Sequence, residues 1–217
     1  HEIKNPLTPI QLSADRLKYK YYKNIKVDKE VFINCIDTII RQVSSIHRMV
    51  NEFSTFAQMP KPIFQNIDII NIVEGNISMT KLANKDIKIT NISLRKTKFL
   101  IKADANLVNQ ALNNLIKNSI NSIKEKISNN NTIKGNIKIK VVKKSTFCYL
   151  SVIDNGIGLP EEKDHLTEPY ISRSKSGSGL GLAIVKKIMQ DHRGNISLDN
   201  NKKSGANVTL MFPLFNN

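Results

Sequence analysis

The sequence has little of what disulfide-rich or metal-binding proteins depend on. Only two cysteines occur among 217 residues, Cys35 and Cys148, and they lack the spacing of metal ligands. Both lie in segments of apolar pattern, so we expect buried free thiols in a reducing compartment. These features argue against a secreted disulfide framework and against a cysteine-based metal site.

A secretory signal and a long uninterrupted apolar run are also missing, so we expect nothing in this stretch of chain to cross a membrane. Apolar residues make up 40% and charged residues 24% of the chain, which indicates a globular protein of one or two small domains. Because the chain starts with His1 rather than methionine, we expect it to be a fragment of a longer protein.

Acidic residues are scarce relative to basic ones: 18 Asp and Glu stand against 33 Lys and Arg, which gives a net charge of +15. Such a charge can favour nucleic acid, anionic lipid or an acidic protein partner. However, the lysines are spread among Asn and Ile, without a basic tract or a set of aromatic residues for base stacking. A composition biased to Lys, Asn and Ile explains the charge equally well. We therefore expect no nucleic-acid partner and no membrane contact from this fragment.

Two clusters of glycine flank a polar segment without apolar periodicity, and the second cluster leads directly into an apolar-periodic helix. The first cluster contains Gly156 and Gly158, and the second contains Gly177, Gly179 and Gly181. Glycine lets backbone N–H groups approach a ligand, and a glycine turn before a helix directs N–H groups toward an anion. The polar segment adds Arg173 and Lys175, whose cationic groups can reach phosphate oxygens. The pair of turns indicates a phosphate-bearing ligand beneath a lid, whereas one such turn alone would indicate an ordinary loop.

Residues 1–24 and 32–57 each carry apolar side chains at alternating steps of four and three, which is a heptad seam. The first seam consists of Ile3, Leu7, Ile10, Ala14, Leu17 and Tyr21, and the second of Phe32, Ile36, Ile39, Val43, Ile46, Val50, Phe53 and Ala57. The polar residues 23–29 between them are expected to form a turn, with Asp28 as a cap. Two such helices predict an antiparallel hairpin that buries too little alone, so we expect a homodimer with a four-helix bundle.

His1 lies two residues before the first seam, and two helical steps turn about 200°, so we expect its side chain to face solvent. Asn5 lies one turn later on the same face, and Glu2 is adjacent. Pro6 and Pro9 each remove a helical hydrogen bond, which predicts a bend just after the histidine. A neutral imidazole is a good nucleophile near neutral pH, and a neighbouring carboxylate can hold its tautomer or take its proton. Taken alone, the same pattern describes an exposed histidine at a frayed helix end.

Pro60 and Pro62 interrupt the heptad pattern, so we place a linker at residues 59–66 between a helical domain at 1–58 and a second domain at 67–217. In the second domain the patterns predict helices at 69–83, 105–127 and 180–192, and strands at 87–94, 99–102, 137–143, 147–153, 195–199 and 206–212.

The helix predicted at 105–127 starts after Asp104, a typical N-cap residue. Four asparagines lie on or near it, and two of them are one turn apart on the same side: Asn113, Asn114, Asn118 and Asn121. Asparagine is common throughout the chain, so composition alone also accounts for this cluster. The histidines without ligand-like neighbours are expected to be solvated or to cap helices: His47, His165 and His192.

DNGIGLP at 154–160 and GSGLGLAIVKKI at 177–188 resemble the two glycine boxes of the ATP-binding superfamily of histidine kinases, chaperones and gyrases. EPY at 168–170 resembles the segment before the lid, NNLIKNSINS at 113–122 the N box, and HEIKNPLTPIQLSADRL at 1–17 the phosphoacceptor box of sensor histidine kinases. These motifs cover essentially the whole chain and are close to the nitrogen-regulation, NtrY-like group. The resemblance implies an α + α/β fold: the helical hairpin, then a histidine-kinase-type ATP-binding α/β sandwich.

The resemblance also implies roles for individual residues. His1 would accept the γ-phosphoryl group of ATP, and Glu2 and Asn5 would give phosphatase activity toward a response regulator. Asn118 would bind Mg²⁺, with Asn114 near the phosphates. The full set of implied nucleotide-binding residues is Asn114, Asn118, Asp154 (at the adenine amino group), Gly156, Gly158, Arg173, Lys175, Gly177, Gly179, Leu180 and Gly181. The implied cofactors are ATP and Mg²⁺, the implied partner is a response regulator receiver domain, and the parent protein is expected to be anchored in the inner membrane with this part in the cytoplasm.

Three alternatives stay open in the sequence. The gyrase and chaperone branches resembled here use a glutamate to activate water where this chain has Asn113 and Asn114, which favours phosphotransfer over an ATPase. The lid at 171–179 has the expected length without the Thr-Thr-Lys/Arg pattern of the family, so a degenerate kinase that binds nucleotide as a scaffold is a second alternative. A basic nucleic-acid binder is the third. Ser122 stands where many kinases have tyrosine, although the nitrogen-regulation group generally has a small residue there, and Arg193 stands where glycine is common.

Overall fold

The computed structural model describes residues 4–22, 29–93, 98–129, 133–163, 165–171, 179–201 and 204–214, without the side chains of Lys4, Asn5, Tyr21 and Tyr22. The helices in these ranges are α1 (Lys4–Tyr22), α2 (Lys29–Ala57), α3 (Ile69–Ala83), α4 (Ala105–Asn129) and α5 (Gly181–Asp191). The strands are β1 (Gln65–Asp68), β2 (Ile87–Asn91), β3 (Leu100–Ala103), β4 (Gly135–Lys144), β5 (Phe147–Asp154), β6 (Asn195–Asn200) and β7 (Ala206–Pro213). The predicted fold class, a helical part followed by a mixed α/β domain, is confirmed.

Helices α1 and α2 pack against each other as the hairpin that the heptad seams predict. The hairpin alone leaves much of the seam open to solvent, since Leu7 is 47% and Val43 is 52% exposed. Further seam residues with large exposed side chains are Phe32, Val50 and Phe53. Apolar side chains that repeat along two helices and stay uncovered form a surface suited to packing against more helices.

The predicted cap Asp28 lies outside the described residues. In the described part of the chain, none of the helices has both the length and the apolarity that a membrane crossing requires.

The second part of the chain is built on a five-stranded sheet with the strand order β2-β4-β5-β7-β6. Strand β2 pairs parallel with β4, and the other neighbours in this sheet are antiparallel. Strands β1 and β3 form a separate two-stranded antiparallel sheet. Strand β1 was not predicted, and its first residue, Gln65, falls inside the stretch interpreted as a linker. The domain boundaries themselves stay a prediction.

Helices α3, α4 and α5 pack on the sheet and give its strands one buried face. Strand β5 shows the alternation that results, because it buries Cys148, Leu150, Val152 and Asp154 and leaves the residues between them less covered. Strand β7 alternates in the same way from Ala206 onward. The apolar members of these rows join the buried side chains of the helices in one core, and that burial is the main force that holds the layers together.

The two cysteines are both buried and free, as predicted. Burial raises the pKa of the Cys148 thiol to about 12, although the nearby Lys143 ammonium acts in the opposite direction. This thiol is therefore protonated at neutral pH, and it behaves as a small apolar side chain of the core.

The start of α4 is fixed by Asp104, which is almost fully buried. Its Oδ1 accepts hydrogen bonds from the N–H groups of Asn106 (2.9 Å) and Leu107 (3.1 Å), so the predicted N-cap is confirmed. Its Oδ2 accepts from the N–H of Ile63 at 2.8 Å, in the segment that precedes β1. Burial by itself would raise the pKa of this carboxyl, but the hydrogen bonds from the backbone donors lower it overall. Asp104 thus ties the chain that leaves the hairpin to the first turn of α4.

His192 caps the C-terminal end of α5, which is one of the two roles expected for it, and its side chain is buried. Its Nε2 accepts from the N–H of Asp104 at 3.0 Å, and its Nδ1 donates to the carbonyl of Ile188 at 2.8 Å. This pair of bonds requires the neutral tautomer with the proton on Nδ1. The rings of Phe64 and Phe212 lie edge-on to the imidazole, with centroids 5.2 and 6.0 Å away.

We predict that Asp104→Ala lowers the free energy of unfolding by about 1–2 kcal/mol, because it removes a buried N-cap. The pKa of Asp104 is depressed in the folded protein, so its contribution is present above the ordinary pKa of aspartate and is lost as pH falls through the depressed value. Asp104→Asn should therefore keep part of the cap and lose this acid dependence. Urea denaturation between pH 3 and pH 7, with the exposed Asp86→Ala as control, measures both effects. Equal stability of Asp104→Ala and Asp86→Ala would contradict the assignment.

Candidate functional site

Strand β5 ends at Asp154, which is 4% exposed. Its Oδ1 accepts from the N–H groups of Gly156 (2.9 Å) and Ala206 (3.1 Å), and its Oδ2 accepts from the hydroxyl of Ser119 (3.0 Å). The donors belong to the turn after β5, to β7 and to α4, and they offset the hydration that a buried carboxylate loses. A carboxylate oxygen can accept more than one hydrogen bond, so Oδ2 can also take a donor from a ligand.

The turn after β5, which holds the first glycine cluster, directs its backbone N–H groups into the protein. The N–H of Gly156 donates to the buried carboxylate described above. The N–H of Ile157 donates to Ser122 Oγ at 3.1 Å, and the N–H of Leu159 donates to Asn200 Oδ1 at 2.7 Å. These amides are therefore occupied by side chains of α4, β5 and β6 rather than open to an anion.

Packing explains why glycine occupies this turn. A Cβ on Gly156 would lie 2.8 Å from both the Cβ and the carbonyl carbon of Ser122, and closer still to its Oγ. Gly205, before β7, approaches the carbonyl of Asp154 so closely that a Cβ would overlap its oxygen. Gly158 and Gly205 also have φ values of +84° and +87°, in the left-handed region that favours glycine.

Helix α5 begins at Gly181, next to the side-chain amide of Asn118 on α4. A Cβ on Gly181 would lie 3.7 Å from Asn118 Oδ1 and 3.8 Å from Nδ2. Asn118 is exposed, whereas Leu180, just before α5, is 1% exposed and holds the helix start in the core. Asn114 is half-buried one turn earlier on α4. An exposed amide oxygen therefore lies beside the positive end of a helix dipole, an arrangement that suits an anion and its counter-cation.

The chain segments on either side of residues 172–178 lie against each other. A Cβ on Gly179 would be 2.5 Å from the carbonyl carbon of Tyr170 and 2.7 Å from the nitrogen of Ile171. Gly179 has φ +71° and Tyr170 has φ 69°, so both turn in the left-handed region. The segment before the predicted lid and the second glycine cluster are thus packed backbone to backbone at the entrance to α5.

The structure brings some of the predicted site residues together and leaves others apart. Asn118 lies beside Gly181, and Asp154 accepts a hydrogen bond from Gly156. Helix α4 contacts both pairs, because it carries Asn118 and also Ser119, which donates to Asp154. Gly158 instead lies against the turn between β6 and β7. Predicted residues outside the described ranges are His1, Glu2, Arg173, Lys175 and Gly177, together with the side chain of Asn5.

Several side chains that shape the site were missed by sequence reasoning. Ser119 follows the predicted Asn118, and the available signal was a small polar residue on the apolar face of an otherwise amphipathic helix. Asn200 and Gly205 flank a turn of ordinary composition, so their sequence predicts a hairpin and nothing more.

The groups described above are chemically suited to bind a nucleotide together with Mg²⁺. The amide oxygen of Asn118 is a hard donor of the kind that magnesium prefers. The N-terminal turn of α5 can receive phosphate oxygens, and Asp154 can accept from a ring amino group.

Two protein-family models match the chain. The model described as "Histidine kinase-, DNA gyrase B-, and HSP90-like ATPase" matches residues 103–216. The chain belongs to this family. The second model, the His Kinase A (phospho-acceptor) domain, matches residues 1–62 and so covers the helical hairpin.

Curated relatives place this histidine kinase core in the NtrY type. The nitrogen regulation protein NtrY of Azorhizobium caulinodans is 42% identical over 200 residues, which are 92% of this chain and 26% of that protein. An NtrY-like protein of Rickettsia felis is 37% identical over 215 residues, which are 99% of this chain and 35% of that protein. The predicted resemblance is therefore confirmed, and this chain spans only about a quarter to a third of these relatives.

Solved structures share the fold of the kinase core. Histidine kinase ThkA, in complex with the response regulator protein TrrA, matches with a TM-score of 0.75 at 23% identity, over 99% of this chain and 59% of that one. Histidine kinase AdeS of Acinetobacter baumannii matches with a TM-score of 0.66 at 22% identity, over 100% of this chain and 98% of that one.

We predict that Gly156→Ala destabilises the kinase core by about 1–3 kcal/mol, because its Cβ would be forced into Ser122. Gly75→Ala is the matched control: it lies in α3 with nothing within 4 Å of a Cβ, so the same change should raise stability by up to about 1 kcal/mol. Thermal denaturation of both variants measures the contrast. A Gly156→Ala protein as stable as the Gly75→Ala protein would show that the turn can move away from α4.

Proposed function

We propose that this chain is the core of a sensor histidine kinase, which phosphorylates itself on His1 and passes the phosphoryl group to an aspartate of a response regulator. The observation that carries the proposal is the presence of a phosphoacceptor match at 1–62 and an ATPase match at 103–216 in one chain. The ATPase and scaffold alternatives are not favoured, because neither needs a phosphoacceptor domain.

ATP is proposed to bind along α4, with its base end at Asp154 and its phosphates at the start of α5. The exposed amide of Asn118 beside Gly181 supports this direction, since phosphates favour a helix N-terminus. Bound Mg²⁺ would neutralise phosphate charge, and Asn118 Oδ1 would be its protein ligand, with Asn114 near the phosphates. The remaining proposed nucleotide contacts are Gly156, Gly158, Arg173, Lys175, Gly177, Gly179 and Leu180.

In the proposed reaction a ring nitrogen of neutral His1 attacks the γ-phosphorus. The bond to the β–γ bridging oxygen breaks, and ADP leaves with that electron pair. Glu2 takes the ring proton or holds the reactive tautomer. The N–P bond then breaks as a carboxylate oxygen of the response regulator attacks the same phosphorus. In the proposed phosphatase reaction, Glu2 and Asn5 would position a water molecule to attack the phosphorylated aspartate of the response regulator.

The proposed partners are a second copy of this chain and the receiver domain of a response regulator. The uncovered heptad seams of α1 and α2 support the homodimer. The structure of ThkA with the response regulator protein TrrA supports the second partner. We further propose the domain division 1–58, 59–66 and 67–217, and a parent protein anchored in the inner membrane with this core in the cytoplasm, as the greater length of the NtrY relatives suggests.

Incubation of the full-length parent protein with γ-labelled Mg-ATP tests the kinase. We expect acid-labile, base-stable label that His1→Gln abolishes and that Asn118→Ala reduces by roughly a hundredfold. Asn121→Ala is the matched control, an exposed asparagine on the same helix, and should keep the label. Tight ATP binding without label on any variant would favour the nucleotide-binding scaffold, and acid-stable or absent label with ATP turnover would favour the ATPase.

The homodimer is tested on α2. Val43→Lys places a charge in the uncovered seam and should shift the sedimentation coefficient from dimer to monomer at micromolar concentration, because burying an unpaired ammonium is costly. Ser44→Lys adds the same charge at the next exposed position and should leave the dimer intact. A parent protein that sediments as a monomer would refute the proposal.

A further inference from the structure

Lys126 on α4 makes contacts that the nucleotide site described above does not explain. It is half-buried, and its Nζ donates to the backbone carbonyls of Asn155 (2.8 Å) and Gly156 (3.1 Å). The same ammonium contacts Ser204 Oγ in the turn between β6 and β7. Ser204 Oγ in turn lies 3.0 Å from the Gly156 carbonyl. One ammonium thus joins α4, the first glycine turn and the β6–β7 turn.

Side chains hold the same turn from two further directions. The Asn155 amide accepts from the N–H of Asn136 at 2.8 Å and donates to the carbonyl of Lys134 at 2.9 Å, which fixes it to the start of β4. The amide of Asn200 accepts from the N–H of Leu159 at 2.7 Å and donates to its carbonyl at 3.1 Å. Because these N–H and carbonyl groups are hydrogen-bonded within the protein, the turn has its shape before a ligand binds.

We propose that Lys126 is a positioning residue for nucleotide binding: it holds the first glycine turn in the shape that receives the base end of ATP. This inference rests on the proposed function of the site. The ammonium is suited to the task because three acceptors surround it and charge-assisted hydrogen bonds are stronger than neutral ones. Without it, Ser204 alone would hold the two carbonyls, and one hydroxyl proton cannot satisfy both. The turn would then sample other shapes, and binding would have to select the correct one.

Lys126→Met, which keeps the apolar stem and removes the charge, tests the proposal in the full-length protein. Calorimetric titration gives the Kd for ADP, and initial rates of autophosphorylation give KM for Mg-ATP and kcat. We expect Kd and KM to rise roughly tenfold and kcat to stay within about twofold, since Lys126 does not touch the reacting atoms. Lys126→Arg restores donors to the carbonyls and should recover most of the affinity. Lys124→Met, the same change at an exposed position on α4, should bind like the parent.

Unchanged Kd for Lys126→Met at a temperature where it is folded would overturn the proposal, and so would a loss confined to kcat. If Lys126→Met does not fold, Ser204→Ala takes its place, with an expected rise in Kd of about threefold, and no change would again be contrary. The ADP titration is independent of phosphotransfer: a parent that binds ADP but forms no phosphohistidine fails the proposed function alone. A parent that binds no ADP fails both.

Discussion

The geometry of the candidate site depends on the hydrogen bonds that the carboxylate of Asp154 accepts. It receives donors from Gly156, Ala206 and Ser119, so one buried charge joins the end of β5 to the turn after it, to β7 and to α4. Because a buried carboxylate without donors is costly, each donor must be held in place by its own element. The glycines follow from the same constraint. Gly205 comes so close to the Asp154 backbone, and Gly156 so close to Ser122, that a Cβ at either position would force the layers apart.

Helix α4 makes contacts with neighbouring elements along its whole length. Its N-cap, Asp104, binds the chain that leaves the hairpin and also the buried His192 at the end of α5. Asn118 lies beside the N-terminal end of α5. Lys126, further along α4, donates to the first glycine turn. The α4 cap therefore hydrogen-bonds to His192 at the C-terminal end of α5, and α4 lies beside the N-terminal end of α5 at Asn118. The segment that leaves the hairpin therefore contacts, at Ile63, the N-cap of the helix that carries Asn118.

Much of the fold was predictable because it depends on local patterns. The helix predicted at 69–83 coincides with α3, and the N-cap role of Asp104 follows from residue type and position alone. Strand β1 was missed because four residues of weak alternation gain their strand character from pairing with β3, which no local pattern reveals. The burial of His192 was not predicted for the same reason, since its partner Asp104 is 88 residues away. In the candidate site, motif resemblance predicted roles for Asp154 and Asn118, whereas Ser119, Lys126 and Asn200 make long-range contacts and carry no motif.

The two glycine clusters have different physical roles, although the sequence suggests the same role for both. In the first cluster, the N–H groups of Gly156, Ile157 and Leu159 already donate to protein side chains, so glycine there serves close packing and backbone conformation. The second cluster leads into α5, where the N–H groups of the first helical turn and the helix dipole are the features that can attract phosphate. In the proposed site, the base would face the hydrogen-bonded first turn and the phosphates would face the start of α5, so the two ends of the site differ. In the proposed function, that asymmetry would give bound ATP one orientation, with its base at Asp154 and its phosphates at the start of α5.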